Sequence, residues 1–303
     1  MQNTIVEKIN KLKKEKNAII LVHCYQNAEI DEVADFVGDS LQLSRLASET
    51  DAKIIVFAGV SFMAETAKIL SPNKKVLIPK LNAGCKMADM VNLQQMKDFK
   101  AKYPNIPVVC YVNSSADVKA ETDICCTSAN AVHVVKSLNV PKVLFVPDRY
   151  LGSYVASQLP DVDVITYHGY CPVHFSISVA DIENMKKLHP EAKVLVHPEC
   201  HHSIVKFADY VGSTTGIMKY AKESKDKEFI IVTEKGVVDR LSRDLKDKKF
   251  YLISDKAICE SMKMNTLEDI LYVLETEDNE VFVDEEVAEK ARQSIEKMIA
   301  VNG

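Results

Sequence analysis

Three cysteines recur at nearly equal intervals along the chain, with spacings of 86 and 88 residues. They are Cys85, Cys171 and Cys259, and each lies in a short loop after an apolar segment. Thiolates are the preferred protein ligands of iron–sulfur clusters. When only three thiolates hold a [4Fe-4S] cluster, one iron keeps no protein ligand and can act on a substrate as a Lewis acid. The spacing therefore predicts one [4Fe-4S] cluster per chain.

Two other interpretations of these three cysteines stay open. A single cysteine is more often an ordinary buried residue. Three thiols could also bind zinc, although structural zinc sites usually use close C-x-x-C pairs, which this sequence lacks. The common spacing favours the metal site. The other cysteines do not recur in all three copies and are predicted to lie in the core: Cys24, Cys110, Cys125, Cys126 and Cys200.

Side chains that transfer protons follow three apolar segments at a similar interval. The pairs are His23 and Tyr25 after AIILV, Tyr111 and Asn113 after PVVC, and His197 and Glu199 after KVLV. Tyrosine, histidine and glutamate are common general acids and bases. Such groups beside an electrophilic metal suit dehydration and enol chemistry.

Three hydroxyl residues, Ser40, Ser128 and Thr214, are spaced by 88 and 86 residues and are predicted to begin helices. The N-terminus of a helix favours a phosphate or carboxylate group, because its N–H groups are free and its dipole is positive there. A plain helix cap is the alternative for each of them. The remaining histidines are predicted to be structural or outside the site: His133, His168, His174, His189, His201 and His202.

The elements that must position these residues also repeat. Four predicted helix starts, each with a carboxylate or amide three residues later, are spaced by 88, 86 and 88 residues: Thr4, Asn92, Ser178 and Thr266. Apolar strands alternate with helical patterns, which is typical of a parallel sheet with right-handed crossovers. Because ligands bind at the carboxyl ends of parallel strands, the cysteines and the polar pairs are expected to share one cavity.

The predicted fold class is α/β, with three homologous α/β/α lobes of about four parallel strands each in a pseudo-threefold arrangement. The predicted boundaries are 1–91, 92–177 and 178–265 for the three repeats. Residues 266–303 are predicted to form a C-terminal helical segment that packs back on the first repeat.

Composition excludes several classes of protein. The formal net charge is −5, and the absence of a long basic run argues against a nucleic acid partner. No run of 18 apolar residues predicts a membrane span, and the first residues contain no apolar signal core, so a cytoplasmic protein is expected.

Several motifs between about residues 21 and 260 resemble one family. They are ADFVGDSLQLSRLA, FAGVSFMAETAKIL, AGCKMADM, YVNSSADVKA, CTSANAV, PDRYLGSYVA, HPEC and GST. The family is quinolinate synthase, the iron–sulfur enzyme of NAD biosynthesis. The resemblance implies condensation of iminoaspartate (iminosuccinate) with dihydroxyacetone phosphate to quinolinate, phosphate and water. It also implies L-aspartate oxidase as the upstream supplier of iminoaspartate.

The resemblance also implies roles for individual residues. Cys85, Cys171 and Cys259 look like the cluster ligands. The implied substrate-binding residues are His23, Ser40, Tyr111, Val112, Asn113, Ser128, His197, Pro198, Glu199 and Thr214. Tyr25, Tyr111 and Glu199 are expected to transfer protons, assisted by His23 and His197. Two alternatives stay open, namely another [4Fe-4S] hydro-lyase acting on a small hydroxy acid, and a non-catalytic redox or sensing protein that carries a cluster.

Overall fold

The computed structural model describes residues 2–301. Met1, Asn302 and Gly303, which the predicted first and last segments include, lie outside the described residues. Twelve strands in the described part of the chain form three parallel sheets of four strands each. The α/β class with three four-stranded sheets is therefore confirmed.

Each sheet is built from four strands that are consecutive along the chain. The strands of the first sheet are β1 (Ala18–His23), β2 (Phe36–Gly38), β3 (Ile54–Ala58) and β4 (Lys75–Leu77). Those of the second are β5 (Val108–Tyr111), β6 (Ile124–Cys126), β7 (Lys142–Val146) and β8 (Asp163–Thr166). Those of the third are β9 (Lys193–Val196), β10 (Tyr210–Val211), β11 (Glu228–Val232) and β12 (Lys249–Leu252).

All three sheets have the same spatial order, in which the first strand lies between the second and the third and the fourth is at the edge. In the first sheet, for example, Val22 of β1 pairs with Val37 of β2 and with Ala58 of β3. The first strand of each sheet is thus central, and its carboxyl end is flanked by neighbouring strands. The residue types explain this position, because β-branched runs such as AIILV favour a strand that is buried on both faces.

Helices connect the strands and cover the sheets. The first set contains α1 (Gln2–Lys16), α2 (Ser40–Glu49) and α3 (Ser61–Leu70). The second contains α4 (Leu93–Lys102), α5 (Ala116–Ala120), α6 (Ala131–Ser137), α7 (Arg149–Gln158) and α8 (Pro172–Phe175). The third contains α9 (Val179–Leu188), α10 (His202–Val205), α11 (Thr214–Glu223) and α12 (Lys235–Asp244), and α13 (Leu267–Thr276) and α14 (Glu285–Ala300) follow. Three short 3-10 helices span Ala28–Glu32, Ala88–Met90 and Met262–Met264.

Three of the four predicted helix starts are confirmed. The side chains of Asn92, Ser178 and Thr266 each accept a hydrogen bond from the N–H of the residue three positions later. The side chain of that later residue accepts one from the backbone N–H of the capping residue, which completes a capping box. The prediction at Thr4 is wrong, because α1 already begins at Gln2. Thr4 is exposed, so water can solvate the free N–H groups at this end and no side-chain cap is required there.

The last two helices pack on different parts of the molecule. Helix α13 contacts α1 and β3, which belong to the first sheet and its helices. Helix α14 lies mainly against α5 and β6 of the second set and also reaches α2 and α3. Ala291, Ile295 and Met298 of α14 are fully buried there. The boundaries of the three repeats stay a prediction. No helix in the described residues combines the length and the apolar character that crossing a membrane requires.

Candidate active site

One cavity of about 280 Å³ collects most of the residues that the sequence singled out. Its lining includes His23, Tyr25, Ser40, Cys85, Tyr111, Asn113, Ser128, Cys171, His197, Glu199, Thr214 and Cys259. Val112 and Pro198 are buried but do not line it. The backbone of Val112 is already bonded to Cys126 O and to the N–H of Ser114. The convergence follows from the fold, because the polar pairs and the cysteines follow the carboxyl ends of parallel strands.

The three cysteine loops share one local structure. In each, the cysteine carbonyl oxygen accepts the N–H of the residue four positions later, at distances of 3.1, 2.9 and 3.1 Å for Asp89, Phe175 and Lys263. The N–H of the residue three positions later is directed at the sulfur, from Ala88, His174 and Met262 respectively. Hydrogen bonds to sulfur stabilise a thiolate. The cysteines therefore share a conformation suited to metal binding as well as a spacing.

Burial raises the pKa of the Cys85 thiol to about 12 and also raises the pKa of Cys171 and of Cys259. The thiols also act on one another, since Cys259 raises the pKa of Cys85, and both raise the pKa of Cys171. All three cysteines line the same cavity. A metal supplies the positive charge that three converging thiolates need. The donor set fits a metal or iron–sulfur cofactor.

Glu199 lies at the centre of a buried hydrogen-bonded group. The Tyr111 hydroxyl donates to Glu199 Oε1 at 2.5 Å, and His174 Nδ1 lies 2.8 Å from Glu199 Oε2. Burial would raise the pKa of Glu199, but His174, His197 and the bond from Tyr111 together lower it to about 2. Glu199 is therefore an anion at neutral pH. Burial and this anion raise the pKa of Tyr111 well above its usual value, so the tyrosine keeps its proton.

His23 and His197 have matching environments at the ends of β1 and β9. Nδ1 of His23 accepts the N–H of Tyr25 at 3.1 Å, and Nδ1 of His197 accepts the N–H of Glu199 at 3.3 Å. Burial lowers the pKa of both imidazoles to about 3, with a further contribution from Arg240 at His23. Each ring is therefore neutral with its proton on Nε2, where it can donate a hydrogen bond to a ligand.

Tyr25 is held by two threonines that come from the third sheet and its helices. Its hydroxyl is 2.9 Å from Thr233 Oγ1 and accepts a bond from Thr214 Oγ1 at 3.2 Å. Burial and the charge of Glu199 raise the pKa of Tyr25 well above its usual value. The backbone carbonyl of Tyr25 accepts from Lys263 Nζ at 2.5 Å. The position of this tyrosine thus depends on residues far away in the sequence.

The prediction that Ser40, Ser128 and Thr214 begin helices is correct for two of the three. Ser40 and Thr214 are the first residues of α2 and α11, but the side chains that cap these helices are those of the preceding residues, Asp39 and Ser213. Ser128 lies in a turn, and α6 begins three residues later at Ala131. The turn forms because the Asn130 side chain accepts the N–H of Thr127, which delays the helix. All three hydroxyl residues nevertheless line the cavity.

His174 was predicted to be structural, and the structure places it in the site. It lines the cavity, and its ring stacks on His197 with centroids 4.8 Å apart. No residue at the corresponding positions of the other two copies is a histidine, so the repeat could not reveal it. A local signal was present, because Pro172 favours the first turn of a helix and places His174 on the same turn as Cys171. Asp39 and Glu234 also line the cavity and were missed. The five other cysteines are buried, as predicted.

Comparisons with known proteins give one consistent family. Residues 7–300 match the family model described as Quinolinate synthetase A protein. A quinolinate synthase from Alkaliphilus metalliredigens is 53% identical over 300 residues, which cover 99% of this chain and 99% of that protein. The quinolinate synthase of Sulfurihydrogenibium sp. is 49% identical over 304 residues, covering 99% of both chains. That of Aquifex aeolicus is 45% identical over 301 residues, covering 98% of this chain and 94% of the relative.

Proposed function

The chain belongs to the quinolinate synthase family, and from this we infer that it condenses iminoaspartate with dihydroxyacetone phosphate to give quinolinate, phosphate and water. The observation that carries the inference is that three thiols and the acid–base groups line one cavity. A role in NAD biosynthesis, a cytoplasmic location and a supply of iminoaspartate by L-aspartate oxidase are part of the same proposal.

The proposed cofactor is one [4Fe-4S] cluster held by Cys85, Cys171 and Cys259. When bound, it would supply a Lewis acid that polarises a substrate hydroxyl or carbonyl group. In the described part of the chain, the ligand atoms that lie within 4.8 Å of one another are those of Cys171, His174 and Glu199, not the three sulfurs. A single zinc ion bound by three thiolates would need sulfur atoms about 3.8 Å apart. Because the three sulfurs do not form such a close group among the described residues, a cluster is favoured over one zinc ion.

Recognition of the two anionic substrates must be local, because the protein has a net charge of −5. The N-terminus of α11, at Thr214, offers a favourable dipole to a phosphate or carboxylate group. At α2 the Asp39 carboxylate already accepts the N–H groups of Leu41 and Gln42, so Ser40 contributes its hydroxyl there. Ser128 adds a hydroxyl, and the neutral rings of His23 and His197 add Nε2–H donors.

Asn113 offers an acceptor for a substrate N–H or O–H group. Its buried side-chain oxygen has no hydrogen-bond partner among the described residues, and the residue lines the cavity. Val112 and Pro198 then act as spacers that orient the residues on either side. A buried acceptor without a partner costs free energy, and an imine or hydroxyl of the substrate would satisfy it.

Proton transfer is assigned to Tyr25, Tyr111 and Glu199. In the 2.5 Å bond the proton lies on Tyr111, so Glu199 is the base that can accept a proton from a substrate and Tyr111 is the acid that can donate one. Tyr25 keeps its own proton and is oriented by Thr214 and Thr233, so it can donate to a developing oxyanion or leaving oxygen. Cyclisation and loss of water both require such transfers.

The test is an oxygen-free assay in which the iron-loaded chain is mixed with iminoaspartate and dihydroxyacetone phosphate, and quinolinate is measured. Formation of quinolinate that depends on both substrates and on iron supports the proposal. Loaded protein that forms none would overturn it. The hydro-lyase alternative predicts water loss from a hydroxy acid alone. The non-catalytic alternative is disfavoured, because the cysteines open on a cavity lined with proton-transfer groups.

A further inference from the structure

Three side chains of different chemistry converge on one point of the cavity wall. The ligand atoms of Cys171, His174 and Glu199, namely a sulfur, a ring nitrogen and a carboxylate oxygen, all lie within 4.8 Å of one another. His174 and Glu199 are buried, and Cys171 is half-buried. Such a sulfur, nitrogen and oxygen set is chemically distinct from the three thiols that face the same cavity.

The contact between His174 and Glu199 lacks an aligned hydrogen bond. His174 Nδ1 is 2.8 Å from Glu199 Oε2, yet in residues 2–301 this buried nitrogen has no hydrogen-bond partner of acceptable geometry. The opposite ring nitrogen, Nε2, is 2.9 Å from Thr233 Oγ1. A cation that binds Nδ1 requires the His174 proton to lie on Nε2, where Thr233 Oγ1 can accept it. Nδ1 then offers its lone pair to the cation beside Glu199 Oε2.

The surroundings hold the three ligands in place. Thr233 fixes the orientation of the His174 ring, and Tyr111 donates to the carboxylate oxygen that faces away from His174. The backbone N–H of His174 is directed at the sulfur of Cys171. Outer hydrogen bonds of this kind orient the ligands of metal sites in proteins and strengthen binding.

The ligand types select the class of metal. Cysteine, histidine and glutamate are the ligands that zinc uses, and catalytic zinc sites have three protein ligands and one open position. Magnesium and calcium prefer oxygen ligands throughout. A thiolate and a carboxylate also balance the charge of a divalent ion, which permits burial. Bonds of about 2.0–2.3 Å require the ligand atoms to shift by roughly 1 Å from their present separation.

We propose that the cluster-free chain binds one zinc-like divalent ion through Cys171 Sγ, His174 Nδ1 and a Glu199 oxygen, with a fourth position open to the cavity. Binding releases the thiol proton of Cys171 to solvent. The ion binds both Cys171 and Glu199, so it blocks cluster assembly and also occupies a proton-transfer group. The competition between this ion and the cluster for Cys171 rests on the proposed function, whereas binding of the ion does not.

The test uses the full-length chain prepared without iron and without oxygen, with Co²⁺ as the spectroscopic probe. One equivalent of Co²⁺ is expected to give a thiolate-to-metal absorption band that Zn²⁺ removes and excess Mg²⁺ does not. Cys171→Ser, a change of one atom, should abolish the band. His174→Gln and Glu199→Gln should weaken binding at least about tenfold. The matched controls Cys85→Ser and Cys259→Ser should bind as the wild type does.

Two results would overturn the site. One is the absence of a thiolate band in folded wild-type chain, with folding confirmed by circular dichroism. The other is loss of the band in Cys85→Ser or Cys259→Ser, which would place the ion among the three thiols. A separate arm adds one equivalent of Zn²⁺ during iron and sulfide reconstitution, where cluster yield should fall in the wild type and recover in His174→Gln. Normal yield despite bound zinc would contradict the use of Cys171 by the cluster and leave the zinc site standing.

Discussion

The hydroxyl of Tyr111 donates to the carboxylate of Glu199 at 2.5 Å, although the two residues are 88 positions apart. Tyr111 is the last residue of β5, and Glu199 lies three residues after the end of β9, so the bond joins the second sheet to the loop that follows a strand of the third. Both side chains are buried, with 4% of each residue exposed. This bond brings the proton-transfer groups of two repeats into one cavity.

Tyr111→Phe tests this bond. The variant should fold and keep its metal, because the ring still fills its space, but quinolinate formation should fall by about 10²-fold or more. The measurement is product formation together with iron content. Tyr272→Phe is the matched control, since the hydroxyl of that half-exposed tyrosine donates to Asp278 at 2.7 Å, away from the cavity. Full activity of Tyr111→Phe would show that the hydroxyl is structural.

A partly buried ion pair connects the Cys259 loop to Tyr25. Glu234, which is fully buried, accepts the N–H of Cys259 at 3.2 Å and lies 3.2 Å from Lys263 Nζ. The same ammonium group donates to the carbonyl of Tyr25. Lys263→Met leaves the carboxylate without its cation, so the free energy of unfolding should fall by about 3–5 kcal/mol.

The second change in that pair is Glu234→Gln, which removes the charge and keeps an acceptor for the Cys259 N–H. In the Lys263→Met background it should restore a large part of the lost stability. Urea unfolding of the wild type, the two single variants and the double variant measures this. Additive losses in the double variant would show that the two side chains do not interact.

The buried neutral ring of His23 predicts that the protein is less stable in acid. Burial lowers its pKa to about 3 in the folded protein, against an ordinary value of 6.5. Between these values the unfolded chain binds a proton that the folded chain does not, so the stability from this residue is lost as the pH falls. The slope from this residue approaches about 1.4 kcal/mol per pH unit.

Urea unfolding of the cluster-free chain from about pH 6 to about pH 4 measures this slope. His23→Gln, which keeps an acceptor for the N–H of Tyr25, should reduce the slope of unfolding free energy against pH by the contribution of roughly one bound proton. His133→Gln is the control, because His133 lies on α6 and does not line the cavity. An unchanged slope in His23→Gln would mean that His23 is not a neutral buried group.

The sequence predicted what repeats and missed what occurs once. Strand ends, capping boxes and the cysteine loops recur every 86 to 88 residues. Each depends on local interactions, so the same sequence signal is present in all three copies. The placement of Cys85, Cys171 and Cys259 on one cavity then followed from parallel topology. His174 has no counterpart in the other copies, and its importance depends on Glu199, which is distant in the chain.

The helix starts near Ser40 and Ser128 show a second limit. The capping residue is the one whose side chain reaches the first N–H groups of the helix, and at α2 that is Asp39 rather than Ser40. At α6 the Asn130 side chain instead accepts the N–H of Thr127, before the helix begins. Spacing alone cannot choose between adjacent polar residues. The packing of α14 on α5 and β6 was also not predicted, because an amphipathic helix shows in its sequence that one face is buried but not which surface covers that face.

The most direct test of the central claim is the iron and sulfide content of anaerobically prepared chain, measured for the wild type and for Cys85→Ala, Cys171→Ala and Cys259→Ala. The wild type should bind about four irons, Cys24→Ala should bind as many because Cys24 is buried outside the cavity lining, and each of the other three variants should lose the cluster. A normal cluster in any one of those three would contradict the assignment of one thiolate ligand to each repeat.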